Sequence, residues 1–379
     1  MKPVRFAIIG GGLMGREFAS AVARWGTLLD FPVRPEIVAL AGATSRSFDW
    51  FTSNFSSIRQ TSTDWREVLK NDAVDVVYIA VPHHLHEEMY VAALDAGKHL
   101  VGEKPFGIDL AANEKILAAA GRHPNQLVRC SSEFPFYPGA QKICDLIDSG
   151  ALGQIIEIKT AFLHSSDLDP KKPINWKRQA KLNGAYGCMG DLGMHVCHVP
   201  FRAGWKPANV RAVLSKLFSE RPDGKGGVAP CDTWDNATLL IETSDAAGKK
   251  FPWTLKTFRI APGERNTWQL EVYGTLASAR WSTREPKNLE LLEYRGKDQT
   301  WQHIQVGYEP PFKTITGANF EFGFPDCFLQ MWAGFLFELH TKAPLKKFAG
   351  CVTPIETHLS HRLFTAALKS QDEHTVTTV

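Results

Sequence analysis

The sequence predicts a mixed α/β protein of two domains. Three observations carry that prediction. First, 379 residues with 44% apolar side chains are enough for two cores at the usual ~100–200 residues per domain. Second, residues 4–130 alternate short apolar runs with amphipathic segments, the pattern of parallel strands joined by helices. Third, beyond a linking helix the strand-like segments are separated by turn residues, as in an antiparallel sheet. The expected division is 1–130 for the first domain and 131–379 for the second.

Each element follows from local pattern. In the first domain, Val4–Ile9, Glu36–Gly42, Val74–Val81, His99–Gly102 and Leu127–Cys130 are brief apolar runs suited to strands buried on both faces. Leu13–Trp25, Trp65–Lys70, Leu85–Ala96 and Ala111–Ala120 have helical periodicity, and Asp64 and Asp109 stand where a side chain caps exposed amides. The linking helix runs from about Gly139 to Ser149 and is stopped by Gly150. After it come strands at Ile155–Phe162, Val210–Phe218, Ala237–Ile241, Trp253–Arg259, Trp268–Tyr273 and Leu289–Tyr294. The Pro/Gly-rich stretch Arg221–Pro230 is expected to be a surface insertion, and Phe328–Leu339 and Pro354–Lys369 are expected to be helices.

Composition narrows the function. Lys plus Arg number 43 against 40 for Asp plus Glu, and no basic stripe is present to follow a nucleic acid backbone. Seven cysteines are scattered and never form a CxxC pair, which argues against a disulfide framework or zinc ribbon and makes a reducing cytoplasm the expectation. The start, MKPVRFAIIGGG, has an apolar run of four residues before its glycines. That is short for a signal peptide, and no later run approaches the ~18 residues of a membrane span, so neither export nor a membrane is expected.

Four motifs carry chemistry. Gly10, Gly12 and Gly15, with Leu13 and Met14 between the last two, form G-x-G-x-x-G after an apolar strand and at the start of a helix. Glycines there permit a tight turn and let backbone amides meet a pyrophosphate; a ligand-free glycine turn is the alternative. The second strand ends without the acid that would bind adenosine ribose hydroxyls. Ser45 and Arg46 follow it instead, able to hold a 2′-phosphate, unless Arg46 is an ordinary surface arginine. Pro82, His83 and His86 follow one strand and Glu103-Lys104-Pro105 follows another, at the strand ends where open α/β sheets bind ligands. Finally, Asp191 and His195 are four residues apart, on one face if the segment is helical. A carboxylate can then orient a histidine that exchanges protons near neutral pH. A zinc site from Cys188, Asp191, His195 and His198 does not match a known zinc spacing, so no metal is expected.

Together these residues resemble the glucose-fructose oxidoreductase, inositol dehydrogenase and MocA (Gfo/Idh/MocA) family over nearly the whole chain. The resemblance rests on Gly10–Gly15, the run Asp72–Ala80, Glu103-Lys104-Pro105, Gly190–His195, and Glu271–Thr275 through Arg280-Trp281. It implies an N-terminal Rossmann domain, a C-terminal α/β domain with a large open, mostly antiparallel sheet, and a homo-oligomer, dimer or tetramer. It also implies hydride transfer between NAD or NADP and a sugar, sugar derivative or cyclitol. The missing acid and the Ser45-Arg46 pair favour NADP slightly. By motif position Lys104, Asp191 and His195 are the catalytic residues, and Glu103 and Pro105 seat the nicotinamide half. Two departures stand out: His83 occupies a position that is often Asn, and Tyr186 lies in a stretch that is often three glycines, where it would line the sugar pocket. Two other activities fit the same residues: glycoside cleavage with a tightly held, recycled NAD, and a non-catalytic dinucleotide-binding regulator.

Overall fold

The computed structural model describes residues 2–307, 310–317 and 319–379. By compactness the chain groups into two units, Met1–Phe136 with Tyr308–Thr357, and Tyr137–Gly307 with His358–Val379. The first opens with β1 (Lys2–Ile9), α1 (Leu13–Ala23), β2 (Val33–Ala41), α2 (Phe48–Asn54), β3 (Gln60–Ser62) and α3 (Trp65–Leu69). Then come β4 (Val76–Ile79), α4 (His86–Asp95), β5 (His99–Gly102), α5 (Leu110–Arg122) and β6 (Val128–Cys130). The six strands form a parallel sheet in the order β3-β2-β1-β4-β5-β6, the doubly wound order whose switch point lies between β1 and β4. Phe6–Ile9 and Val76–Ile79 are at most 2% exposed, which is why both strands read as unbroken apolar runs. Asp64 and Asp109 cap their helices, accepting from the amides of Arg66 (3.0 Å) and Ala112 (2.8 Å). The sequence does not signal β3, because it is three polar residues at the sheet edge.

The second unit contains α6 (Pro138–Asp148), β7 (Ile155–Leu163), α7 (Ala180–Asn183), α8 (Cys188–Arg202), β8 (Lys206–Ser215), β9 (Glu220–Pro222) and β10 (Val228–Pro230). It continues with β11 (Asn236–Ser244), β12 (Lys250–Phe258), β13 (Thr267–Gly274), β14 (Ala277–Ser282), β15 (Asn288–Glu293) and β16 (Gln302–Gln305). The chain ends with α9 (Phe324–Thr341), α10 (Pro354–Glu373) and β17 (Thr377–Thr378). Nine strands make one sheet, β16-β15-β14-β13-β7-β12-β11-β8-β17. Among the described strands its neighbours are antiparallel except β7 and β12, which run parallel. α8 is buried from Cys188 to Phe201 and is tied to the sheet by Trp268, whose indole N–H donates to the His195 carbonyl (3.0 Å).

Two placements differ from the linear reading. The sequence division puts everything after residue 130 in one domain, whereas α9 groups with the first unit. Its Trp332 packs against Phe18 (ring centroids 4.1 Å), Tyr78 (4.8 Å) and Phe6 (5.8 Å), so the aromatic side of the parallel sheet is completed from the far end of the chain. The stretch expected to be a surface insertion is the β9–β10 hairpin, and its Arg221 is only 2% exposed. The guanidinium donates to the carbonyls of Asp169 (2.7 Å), Lys172 (3.5 Å) and Asp167, so the hairpin fastens the loop that follows β7.

No helix among the described residues is long and apolar enough to cross a membrane. The packing of α6 on β14 provides a stability test. A Cβ on Gly139 would overlap the indole of Trp281, a ring 3% exposed. Gly139→Ala is expected to cost about 1–3 kcal/mol, read as a lower urea midpoint with an unchanged m value. An unchanged midpoint would refute this close contact.

Candidate active site

The three glycines of the G-x-G-x-x-G motif after β1 have three different reasons to be glycine. Gly10 has φ +110°, and a Cβ there would overlap the Ala80 carbonyl at the end of β4. A Cβ on Gly15 would overlap the Gly10 carbonyl, so this glycine lets α1 approach its own strand. Gly12, the N-cap of α1, has nothing within 4 Å of an added Cβ. The space beside this helix start is therefore open, which leaves room for a pyrophosphate to approach the backbone. Leu13 is 74% exposed beside it and Met14 is half-buried. These residues fit a dinucleotide.

The other expected cofactor residues lie at the same end of the parallel strands. The Ala80 amide donates to the Ile9 carbonyl (2.8 Å) and the Glu103 amide to the Ile79 carbonyl (3.1 Å), so the ends of β1, β4 and β5 are adjacent. Ser45 and Arg46 are exposed in a single 3₁₀ turn after β2, and no acid stands between Ala41 and Ser47. Pro82 is half-buried, Pro105 is buried, and the Lys104–Pro105 peptide is cis. His83 is 2% exposed with its ring 5.4 Å from that of His86. His86 is fully buried and stacked on Tyr90 at 4.8 Å. One ring nitrogen meets the Val81 carbonyl (3.0 Å), and the other accepts from the Gly107 amide (3.4 Å). A neutral imidazole with its proton on Nε2 satisfies both contacts. His86 thus ties the loop after β4 to the loop that carries Lys104.

Beneath Lys104, Glu103 is buried at 6% exposure; its carboxylate accepts from the Tyr78 hydroxyl (2.7 Å) and its carbonyl from the Tyr90 hydroxyl (2.8 Å). Both phenols are pushed well above their usual range, chiefly by burial, with the Glu103 charge adding to it. Glu133, which the sequence reading did not single out, is 3% exposed. Burial and then the Glu103 charge push its carboxyl up to about 8, against the pull of Lys104, so it is mainly protonated at neutral pH. Lys104 is half-buried, and its charge is felt by Glu133 and by the thiol of Cys130.

In the second unit α8 brings Asp191 and His195 one turn apart. They are 1% and 5% exposed. The Asp191 carboxylate is paired with Lys177 Nζ, 3.1 and 3.3 Å from its two oxygens, and with the Arg259 guanidinium. The His195 ring stands edge-on to Phe162 at 5.5 Å, and Phe162 in turn lies 4.7 Å from the ring of His164. Behind Asp191, Arg178 joins Asp167 and Asp235, Lys172 reaches Asp167 (2.8 Å), and Arg259 lies 3.7 Å from Asp167. Burial works against ionisation of Asp167, yet Arg178, Lys172 and Arg259 outweigh it and bring the carboxyl to about 2. Tyr186, expected at the sugar pocket, is 3% exposed; its hydroxyl contacts Thr365 Oγ1 (2.7 Å) and the His361 carbonyl (3.3 Å) on α10. Among the described residues no group of three or more His, Cys, Asp or Glu could hold a metal ion.

Lys177 and Arg259 escape a linear reading. Lys177 stands in a 3₁₀ turn capped by Asn175, and Arg259 directly follows β12. Nothing in their spacing links either to residue 191; the basic pair Lys177-Arg178 beside Trp176 is the only local signal.

A doubly wound sheet with a phosphate-type glycine turn, joined to a unit whose buried helix carries an acid–histidine pair, defines a dinucleotide-dependent oxidoreductase architecture. The comparisons give the family. Residues 4–130 match the oxidoreductase family with an NAD-binding Rossmann fold, and residues 140–280 match the GFO/IDH/MocA C-terminal domain. The chain belongs to the Gfo/Idh/MocA family of oxidoreductases. It is 28% identical over 312 residues to the levoglucosan dehydrogenase of Pseudarthrobacter phenanthrenivorans, covering 77% of this chain and 76% of that protein. It is 27% identical over 226 residues to glucose-6-phosphate 3-dehydrogenase of Bacillus subtilis, covering 58% and 60%. Among solved structures, levoglucosan dehydrogenase in complex with NADH and levoglucosan shares the fold at a TM-score of 0.88, with 23% identity and 100% of both chains covered. The inositol dehydrogenase homologue from Azotobacter vinelandii, complexed with NAD+, does so at 0.79, with 20% identity, covering 100% of this chain and 98% of that one.

The glycine turn predicts a separation of binding from folding. Gly12→Val is expected to leave stability within about 0.5 kcal/mol of the parent while weakening NADH binding by about tenfold or more, read by fluorescence titration. Gly15→Val is expected to lower the denaturation midpoint itself, because its side chain meets the Gly10 carbonyl. Equal NADH titrations for Gly12→Val and the parent would remove the turn from the cofactor site.

Proposed function

We propose that this protein oxidises a hydroxyl, or reduces the corresponding ketone, of a sugar, sugar derivative or cyclitol, with Lys104, Asp191 and His195 acting on the reacting oxygen. The observation that carries the reading is the buried helix α8, which holds Asp191 and His195 one turn apart with the carboxylate already paired to two cations. Supporting it are the named activities of the relatives, which act on levoglucosan and glucose 6-phosphate by their names.

The dinucleotide, held at Gly10–Gly15 and at the ends of β4 and β5, supplies the hydride acceptor or donor when bound. In the oxidative direction His195 takes the hydroxyl proton, and in the reductive direction it returns it. Asp191 stabilises the imidazolium and keeps the ring oriented. Lys104 donates to the substrate oxygen and balances the negative charge that builds on it. Glu103, anchored by Tyr78 and Tyr90, fixes the backbone from which Lys104 projects.

For the coenzyme, we propose that NADP is accepted at least as well as NAD. Arg46 and Ser45 offer a guanidinium and a hydroxyl, and no carboxylate stands there to repel a 2′-phosphate. Arg46→Ala is expected to raise the KM for NADP by about tenfold and to leave that for NAD within about threefold. Strong NAD preference that Arg46→Ala leaves unchanged would overturn this.

The activity test is NAD(P)H absorbance with a panel of levoglucosan, glucose, glucose 6-phosphate and inositols. Against the substrate found, His195→Ala is expected to lower kcat by roughly 10² to 10⁴ with cofactor binding little changed. Lys104→Met is expected to be comparably harmful. The double variant is expected to lose less than the product of the single losses, since groups acting on one proton transfer are not independent. Near-normal turnover by His195→Ala would assign the proton elsewhere.

A further inference from the structure

We propose that Arg259 and Lys177 are positioning residues for this reaction: together they hold the Asp191 carboxylate ionised and oriented on α8, ready for its neighbour His195. The inference rests on the reading of Asp191 and His195 as the proton-transfer pair. Asp191 is 1% exposed, and a carboxylate that far from water is driven toward its neutral form unless cations stand against it. A neutral Asp191 would have no charge with which to stabilise an imidazolium.

The two cations come from separate elements and differ in kind. Arg259, with a side chain 7% exposed, follows β12 and approaches from the buried side. Lys177, whose side chain is 32% exposed, reaches both carboxylate oxygens from the 3₁₀ turn before α7. Burial and the neighbouring Arg178 lower the Arg259 guanidinium to about 10, so it is still a cation at neutral pH. Around the pair, Arg178 lies on Asp167 and Asp235, Lys172 on Asp167, and Arg259 also stands 3.7 Å from Asp167, so its charge serves both acids. On α8 itself the flanking groups are His195 and Cys188, whose thiol is raised to about 11 by burial and is neutral. Arg259 and Lys177 both stand against the Asp191 carboxylate. Lys177 is held in turn by its loop, which Arg221 of the β9–β10 hairpin fastens through three carbonyls.

The test measures the carboxyl directly in the full chain, so it does not depend on any sugar being turned over. With aspartate carboxyls ¹³C-labelled, the NMR signal lost in Asp191→Asn identifies the group, and its pH titration is followed in the variants. Removing a cation is expected to raise the midpoint, by about one pH unit or more in Arg259→Met, and Arg259→Lys is expected to bring it back toward the parent. With the sugar substrate identified, kcat of Arg259→Met is expected to fall by about tenfold or more at neutral pH, with KM changed less than kcat and the acidic limb of the pH profile moved upward. Should Arg259→Met not fold, Lys177→Met, at a partly exposed position, is expected to move the midpoint in the same direction. An Asp191 midpoint unchanged in the folded methionine variants overturns the proposal, as does a midpoint that moves while kcat does not. Absence of sugar turnover in the parent, with the titration behaving as expected, would count against the proposed reaction and not against the clamp.

Discussion

The close approach of three backbone segments at the end of β1 is the constraint on which the first unit depends. The Gly10 peptide sits against the Ala80 carbonyl, and Gly15 brings α1 down onto the Gly10 carbonyl. Any side chain at either position pushes apart the two central strands of the parallel sheet or lifts the helix off its strand. Because Phe6–Ile9 of β1 and all of β4 are buried, no solvent-facing slack exists there to absorb that shift. The same tight turn leaves open space beside Gly12 at the start of α1, the kind of helix start at which an anion can be received. The loops after β4 and β5 are held to this edge by His86 and by the buried phenols on Glu103.

Buried acids in the two units show opposite solutions to one physical problem. Taking a carboxylate out of water costs several kcal/mol unless charge or hydrogen bonds replace the lost hydration. Glu133 meets that cost by keeping its proton: with Glu103 nearby, the pull of Lys104 does not offset burial. Asp167 and Asp191 remain among guanidinium and ammonium groups, which hold the Asp167 carboxyl down at about 2 despite its burial. The second solution requires that arginines be buried as well, which explains why Arg178 and Arg259 are both 6% exposed or less. A network of this kind is costly to break at one partner and specific in geometry.

Family membership constrains the chemistry more tightly than the substrate. The doubly wound sheet belongs to the shared fold, whereas His83 and Tyr186 stand where the family's usual pattern has other residues. Tyr186 spends its hydroxyl on Thr365 and the His361 carbonyl, so it shapes the surroundings of α8 through packing on α10. The hairpin, through Arg221, fastens the loop from Asp167 to Lys172, ahead of Trp176 and Lys177.

The sequence by itself determined whatever a short window encodes. Apolar runs specified β1, β4 and β5, Asp64 and Asp109 announced their helix starts, the glycine spacing marked the turn, and the four-residue spacing put Asp191 and His195 on one face once the segment was helical. These are dihedral and burial requirements satisfied within a few residues. The tertiary structure alone decided the rest: that polar Gln60–Ser62 forms an edge strand, that β7 runs parallel to β12, that Trp332 completes the aromatic packing on Phe6, Phe18 and Tyr78, and that Arg259 and Lys177 meet Asp191. Each is a contact between residues far apart in the chain, and its energy depends on which groups are excluded from water together. A charged residue looks the same in sequence whether it stands in solvent or faces a buried carboxylate; only the folded chain assigns its partner.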